Sequence, residues 1–149
     1  PDSSKFRGAF REETGLSKGK IAYWISTGLL CLIYGLGALT CIMQRTMVEE
    51  GFVQFGYPAY LVTVLIVAKI AAPLAILSRV SVQLSDLAYA GMLFHLLLAL
   101  SAHLNVGDGG FVPAIVGLAL LAISFLTQNR GRKVPSPNVP PAFASRQIA

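Results

Sequence analysis

Charged side chains are scarce in this sequence: Asp, Glu, Lys and Arg together make up 13% of its 149 residues. A soluble domain of ordinary composition carries about 25% charged residues. Because 54% of the residues are hydrophobic, the chain has too few charges to cover a water-exposed surface. The composition excludes an ordinary soluble domain, and the length predicts a single domain.

Cysteine is nearly absent, and the two cysteines, Cys31 and Cys41, lie in one apolar segment. On a helix they stand about 15 Å apart, which is too far for a disulfide between them. We expect both to be packing residues. The sequence contains no CxxC, GxGxxG or GKS/T motif, which disfavours a thiol-redox enzyme and a phosphate-binding loop.

Charge is missing from stretches long enough to cross a bilayer, which takes about 20 helical residues. Four such stretches occur, at 21–43, 60–77, 87–104 and 111–127. We predict an all-α fold, a transmembrane four-helix bundle over 21–127 whose short connections make neighbouring helices antiparallel. A basic tail, 1–20, precedes this membrane domain, and a proline-rich tail, 128–149, follows it.

Local signals predict the connections between the spans. Residues 44–59 are predicted to form a polar connection that ends in a turn at Gly56-Tyr57-Pro58. Asp86 is the predicted N-cap of the third span. The proline-rich tail is predicted to be extended or disordered.

Lys and Arg cluster in the two tails, which hold nine of the twelve: Lys5, Arg7, Arg11, Lys18, Lys20, Arg130, Arg132, Lys133 and Arg146. The link between the second and third spans adds Arg79, whereas the other two loops hold only Arg45. Because positively charged loops remain on the cytoplasmic side, both termini are predicted to be cytoplasmic. Basic residues that flank apolar spans predict membrane lipids as partners, and not nucleic acid.

Lys69 is the one charged residue inside a span, and it lies near the middle. A lysine at the bilayer centre costs about 2.5–3.5 kcal/mol, so Lys69 is predicted to face the bundle interior or a wet cavity. Pro73 removes the hydrogen bond to the Lys69 carbonyl and predicts a kink in this second membrane helix. Either the lysine is functional, or carbonyls and hydroxyls hold it for structural reasons alone.

His95 lies mid-span in the third segment, so it is predicted to line one cavity with Lys69. A histidine bonded between helices is the alternative. His103 follows two turns later and is either an interfacial histidine or part of an outer polar mouth with three carboxylates: Glu49, Glu50 and Asp108. The two histidines stand about 12 Å apart on one helix and cannot clamp a haem iron. No carboxylate lies inside a span, so no metal site is expected.

Several short motifs lie along the spans, and their combined order is more specific for a protein family than any single motif is. The motifs are Gly56-Tyr57-Pro58-Ala59-Tyr60, Lys69, Pro73, Leu87-Ala88-Tyr89-Ala90-Gly91, Ala102-His103 and Gly107-Asp108-Gly109. Their order and spacing over residues 21–126 resemble the DoxX-like family of small four-helix membrane proteins. Phe94-His95 stands where relatives often carry an acidic residue.

The resemblance implies a role beside other membrane proteins. Relatives include small subunits of quinone-linked sulfur oxidoreductases, partners of membrane redox assemblies, and eukaryotic assembly or trafficking factors. Two tyrosines, Tyr57 and Tyr89, belong to the motifs that carry the resemblance. The candidates for a ligand-binding or intramembrane polar site are Lys69, His95, His103, Tyr57 and Tyr89.

Two functions are therefore expected. The first is an accessory or assembly subunit of a membrane-bound energy-converting or redox complex, with other membrane subunits as partners. The second is a small membrane enzyme or binder of a quinone- or isoprenoid-like molecule, held by Lys69 and His95; whether the protein is an enzyme stays open. No cofactor is expected other than such a quinone or lipid-like ligand. A channel or transporter is disfavoured, because no second broken helix pairs with the one at Pro73.

Overall fold

The computed structural model describes residues 3–144, with side chains from residue 18 to residue 144. It contains five helices, α1 Ser3–Met43, α2 Arg45–Gln54, α3 Leu61–Ser78, α4 Val82–Val106 and α5 Val112–Gly131. Over the described residues there is no strand. Four segments are long and apolar enough to cross a membrane: Lys18–Met43, Leu61–Ser78, Val82–Val106 and Val112–Gly131. The predicted all-α fold with four membrane helices is confirmed.

Three boundaries differ from the predicted ones. α1 begins at Ser3, inside the predicted basic tail. Most of the predicted polar connection is the helix α2, which ends before Gly56 (φ 83°). Asp86 is not the N-cap of α4, because that helix begins earlier: Ser81 is the cap, and its hydroxyl oxygen accepts the Leu84 N–H at 3.4 Å.

The four spans form a closed ring in which α1 contacts α3, α3 contacts α4, α4 contacts α5, and α5 contacts α1. Their shared core consists of Leu30, Tyr34, Ile76, Ala88, Tyr89, Met92, Leu96 and Leu121. Large apolar side chains also cover the outer faces, and only 11% of the α3 span is buried. Because so large an apolar surface is unfavourable in water, the outer faces contact lipid. Pro73 lies buried within α3, and the kink that it predicts stays a prediction.

One end of the bundle gathers the start of the α1 span, the α3–α4 link and the end of α5. Gly19 packs against the Arg130 side chain, and Gly131 packs against the ring of Tyr23. Arg79 in the link places its guanidinium carbon 4.5 Å from the centre of the Trp24 ring. We call this the basic end; the antiparallel arrangement of neighbouring helices stays a prediction.

The chain after α5 folds back onto the basic end. The Ser136 N–H donates to Oδ1 of Asn129 at 2.7 Å, and the Asn129 amide donates to the Ser136 carbonyl at 3.0 Å. The Ser136 hydroxyl and the Asn138 amide both donate to Oδ2 of Asp86, at 2.6 and 2.8 Å. α4 and α5 therefore hold the segment around Ser136 and Asn138, and of the two predicted alternatives, an extended or a disordered tail, these hydrogen bonds disfavour the disordered one.

Candidate functional site

Lys69 lies on α3 and directs its half-buried side chain toward α1. Its Nζ is 3.8 Å from Sγ of Cys41, which is buried. Gly37 leaves the space for the ammonium group, because a Cβ at that position would lie 3.1 Å from Nζ. Within residues 18–144 no carboxylate forms an ion pair with Lys69. The lysine therefore faces inward, as its cost in lipid predicts, without a protein counter-ion in the described part of the chain.

His95 on α4 is joined across the bundle to Tyr34 on α1. Nδ1 of His95 lies 3.0 Å from the Tyr34 hydroxyl, which donates to the Met92 carbonyl at 3.2 Å. A tyrosine hydroxyl has one proton, so this donation requires the His95 Nδ1–H to donate to the tyrosine oxygen. The same tautomer leaves Nε2 as an acceptor. Nε2 has no hydrogen-bond partner among residues 18–144.

Two cavities meet at Lys69 and His95, which line both of them. The α3/α4 cavity has a volume of about 260 Å³ and reaches Tyr34. The α2-side cavity has a volume of about 340 Å³ and reaches Tyr57 and His103. Apolar side chains from α3 and α4 form most of the remaining walls. An amine donor and an imidazole acceptor thus stand together at the centre of an apolar space, an arrangement suited to an amphiphile with a polar head.

The structure brings four of the five predicted site residues to these cavities: Lys69, His95, His103 and Tyr57. Tyr89 lies apart from them. Its hydroxyl is 2.7 Å from Oγ of Ser124, which is 2.6 Å from Oγ1 of Thr27. All three side chains are buried. Tyr89 therefore belongs to a row of hydroxyls that joins α4, α5 and α1.

The outer carboxylates do not form one cluster. Nδ1 of His103 lies 2.8 Å from Oδ2 of Asp108, and the Gly110 N–H donates to Oδ1 of Asp108 at 2.8 Å. The Gly110 amide, and after it the His103 side chain, hold the pKa of Asp108 below its usual value. The His103 ring also meets the Phe55 ring edge to face, with centres 5.0 Å apart. His103 therefore links the α4–α5 turn to the end of α2.

Glu49 and Glu50 lie outside the α2-side cavity. Glu49 pairs with Arg45 at 2.7 Å, and Arg45 also donates to the Thr63 hydroxyl at 2.8 Å. Glu50 is exposed on α2. Of the three predicted mouth carboxylates, only Asp108 contacts His103.

Sequence reasoning missed Tyr34 and Gly37 as parts of this site. Tyr34 carries a hydroxyl deep in the first span, which is a usable signal for an interhelical hydrogen bond. Gly37 gave no signal of its own, because glycine suits any close contact between helices. Over residues 18–144 no three His, Cys, Asp or Glu side chains come close enough together to hold a metal ion. The groups that this site offers are an amine, an imidazole, a phenol and a thiol.

Comparison of the sequence with known protein families gives a match. A model of the DoxX-like family matches residues 25–126, about two thirds of the chain. The matched region runs from α1 into α5 and contains every candidate site residue. Neither the curated proteins nor the solved structures give a match to this chain.

Proposed function

Because the chain belongs to the DoxX-like family and is a multi-pass integral membrane protein, we propose that it is an accessory or assembly subunit of a larger membrane-bound complex, of an energy-converting or redox kind. One observation carries this proposal. Gly28 and Gly35 lie on α1 two turns apart, and a Cβ at either position would meet nothing within 4 Å. Small residues on one lipid-facing side of a helix let a helix of another chain approach closely.

Replacing Gly28 and Gly35 with leucine is expected to separate the protein from its complex. The added side chains prevent close approach of a second helix but meet no atoms of this chain. The measurement is size-exclusion chromatography in mild detergent after extraction from the native membrane. The wild type elutes with other subunits, and the double variant elutes alone.

Ala119→Leu is the matched control, because Ala119 is an exposed position on α5. This variant keeps the partners. A wild-type protein that elutes as a lone monomer with no co-purifying subunit contradicts the proposal.

We also propose that both termini are cytoplasmic. The tails carry most of the Lys and Arg residues, and Gly19, Arg79 and Arg130 meet at the basic end. Positive charge of this distribution is retained on the cytoplasmic side. A reporter that is active only in the cytoplasm is expected to be active when fused to either terminus. Activity at one terminus alone, or at neither, contradicts this orientation.

A second candidate function is binding or conversion of a quinone- or isoprenoid-like molecule. The cavities that meet at Lys69 and His95 support it, because they combine apolar walls with one donor and one acceptor. The lysine would donate to an oxygen of the head group, and Nε2 of His95 would accept from a hydroxyl. The apolar chain would lie along α3 and α4.

A further inference from the structure

A third cavity lies between α4 and α5 and is separate from the Lys69 site. Its volume is about 470 Å³, within the range of small-molecule sites. Most of its wall is apolar and includes Leu93, Leu118, Ala122 and Phe125. Asp86 and Asn138 also line it, and both belong to the contacts of the basic end. We call this space the α4/α5 cavity.

Asp86 is a carboxylate with neutral partners only. Its oxygens accept from Gln128 at 3.3 Å, from the Ser136 hydroxyl at 2.6 Å and from the Asn138 amide at 2.8 Å. A carboxylate offers about four acceptor positions, so about one stays free. No cation pairs with Asp86 among residues 18–144. Asp86 therefore keeps an acceptor position for a donor from outside the chain, and a cationic donor would form a charge-assisted hydrogen bond there.

Positive charge lies near this cavity, because Arg132 interacts electrostatically with Tyr89, whose side chain lines it. Arg132 opens the segment that carries Ser136 and Asn138, and its Nη1 is buried with no hydrogen-bond partner in the described part of the protein. Lys133 follows it and is exposed. Near the cavity there are therefore a carboxylate without a cation and, at Arg132 and Lys133, positive charge without a carboxylate partner among residues 18–144. A zwitterion with an amine and a phosphate is complementary to both.

We propose that the α4/α5 cavity binds a phospholipid with a primary-amine head group, of the ethanolamine class. One acyl chain lies along the apolar wall, the ammonium group donates to Asp86 and Asn138, and the phosphate faces Arg132 and Lys133. A choline head group has no N–H donor, and a glycerol head group has no cation. Choline therefore cannot donate to Asp86 at all, and glycerol can donate only from a neutral hydroxyl, so neither forms the hydrogen-bonded ammonium–carboxylate pair. This site does not depend on the role proposed for Lys69.

The test is native mass spectrometry of the protein released from nanodiscs that contain equal amounts of ethanolamine, choline and glycerol phospholipids. The wild type is expected to retain one ethanolamine lipid, favoured about tenfold or more over the other two, as the loss of one charge-assisted hydrogen bond predicts. In Asp86→Asn, the ratio of retained ethanolamine lipid to each of the other two lipids is expected to fall to about one.

Asp86 also holds the C-terminal segment, so a second variant leaves that residue intact. Ala122→Phe fills the cavity and is expected to lose the bound lipid. Ala119→Phe, one turn earlier on α5 and outside the cavity lining, is expected to keep it. Circular dichroism shows whether each variant stays folded.

Several results overturn the proposal. If the wild type retains ethanolamine and choline lipids equally, the cavity binds acyl chains and does not select the head group. If the wild type prefers the glycerol lipid, the basic residues select the head group and Asp86 does not. Retention of the ethanolamine lipid by folded Ala122→Phe places the site elsewhere.

Discussion

Replacing Lys69 with methionine is expected to weaken binding of a short-chain quinone about 10- to 100-fold while the bundle stays assembled. Methionine keeps much of the length of the side chain but removes the only ammonium group that lines the two cavities. A hydrogen bond from a charged donor contributes about 1.5–3 kcal/mol, which corresponds to that loss of affinity. The bundle tolerates the change, because a buried charge is removed and no ion pair within residues 18–144 is broken.

The measurement is a titration of the purified protein in nanodiscs with the quinone, for the wild type and the variant. Lys20→Met is the matched control, because Lys20 is an exposed lysine at the start of the α1 span. It is expected to bind as the wild type does. Unchanged affinity in a folded Lys69→Met protein contradicts the second candidate function and leaves the lysine with a structural role.

Adding a single methyl group at Gly131 is expected to destabilise the fold. A Cβ at this position overlaps the ring of Tyr23, whose side chain is only 1% exposed and has no room to move away. Overpacking of this kind costs about 1–3 kcal/mol. For a chain of this size, Gly131→Ala should lower the melting temperature by about 5 °C.

Gly28→Ala is the matched control, because it makes the same change in the same fold at a position with nothing within 4 Å. Alanine favours the helix over glycine by about 1 kcal/mol, so this variant is expected to be as stable as the wild type or more stable. Both proteins are followed by thermal unfolding in detergent. Equal melting temperatures for the two variants would show that α1 and α5 do not pack closely at the basic end.

The membrane architecture was predictable because bilayer thickness sets the length of an apolar helix. The predicted spans 60–77 and 111–127 correspond to α3 and α5 with small shifts at their ends. The inward direction of Lys69 followed from one energetic argument, that lipid does not solvate an ammonium group. His95 then needed only its depth in the third span to be placed beside it.

Other features depend on contacts between residues far apart in sequence, and no local signal encodes these. Asp86 has the residue type of an N-cap, but α4 begins at Val82, so Asp86 binds the C-terminal segment instead. Prolines predicted an irregular tail and gave no sign that Ser136 would pair with Asn129. Tyr89 belongs to a conspicuous motif, yet its partner Ser124 lies 35 residues away on α5.

The three glycines of the α1 span show the same limit. By composition, each of Gly28, Gly35 and Gly37 marks a place of close approach. In the folded chain Gly37 faces Lys69, whereas Gly28 and Gly35 face open space. Helical spacing alone did not distinguish the glycine that faces Lys69 from the two that face outward, because the direction of α1 in the ring depends on α3 and α5.

A density map of the protein in a lipid nanodisc, at a resolution that shows side chains, would show whether the membrane helices enclose one cation at mid-depth. The expected result is a Lys69 side chain that points between α1, α3 and α4, with Nζ near Cys41 and His95 lining the same cavity. A Lys69 side chain that extends outward among the acyl chains would contradict the account.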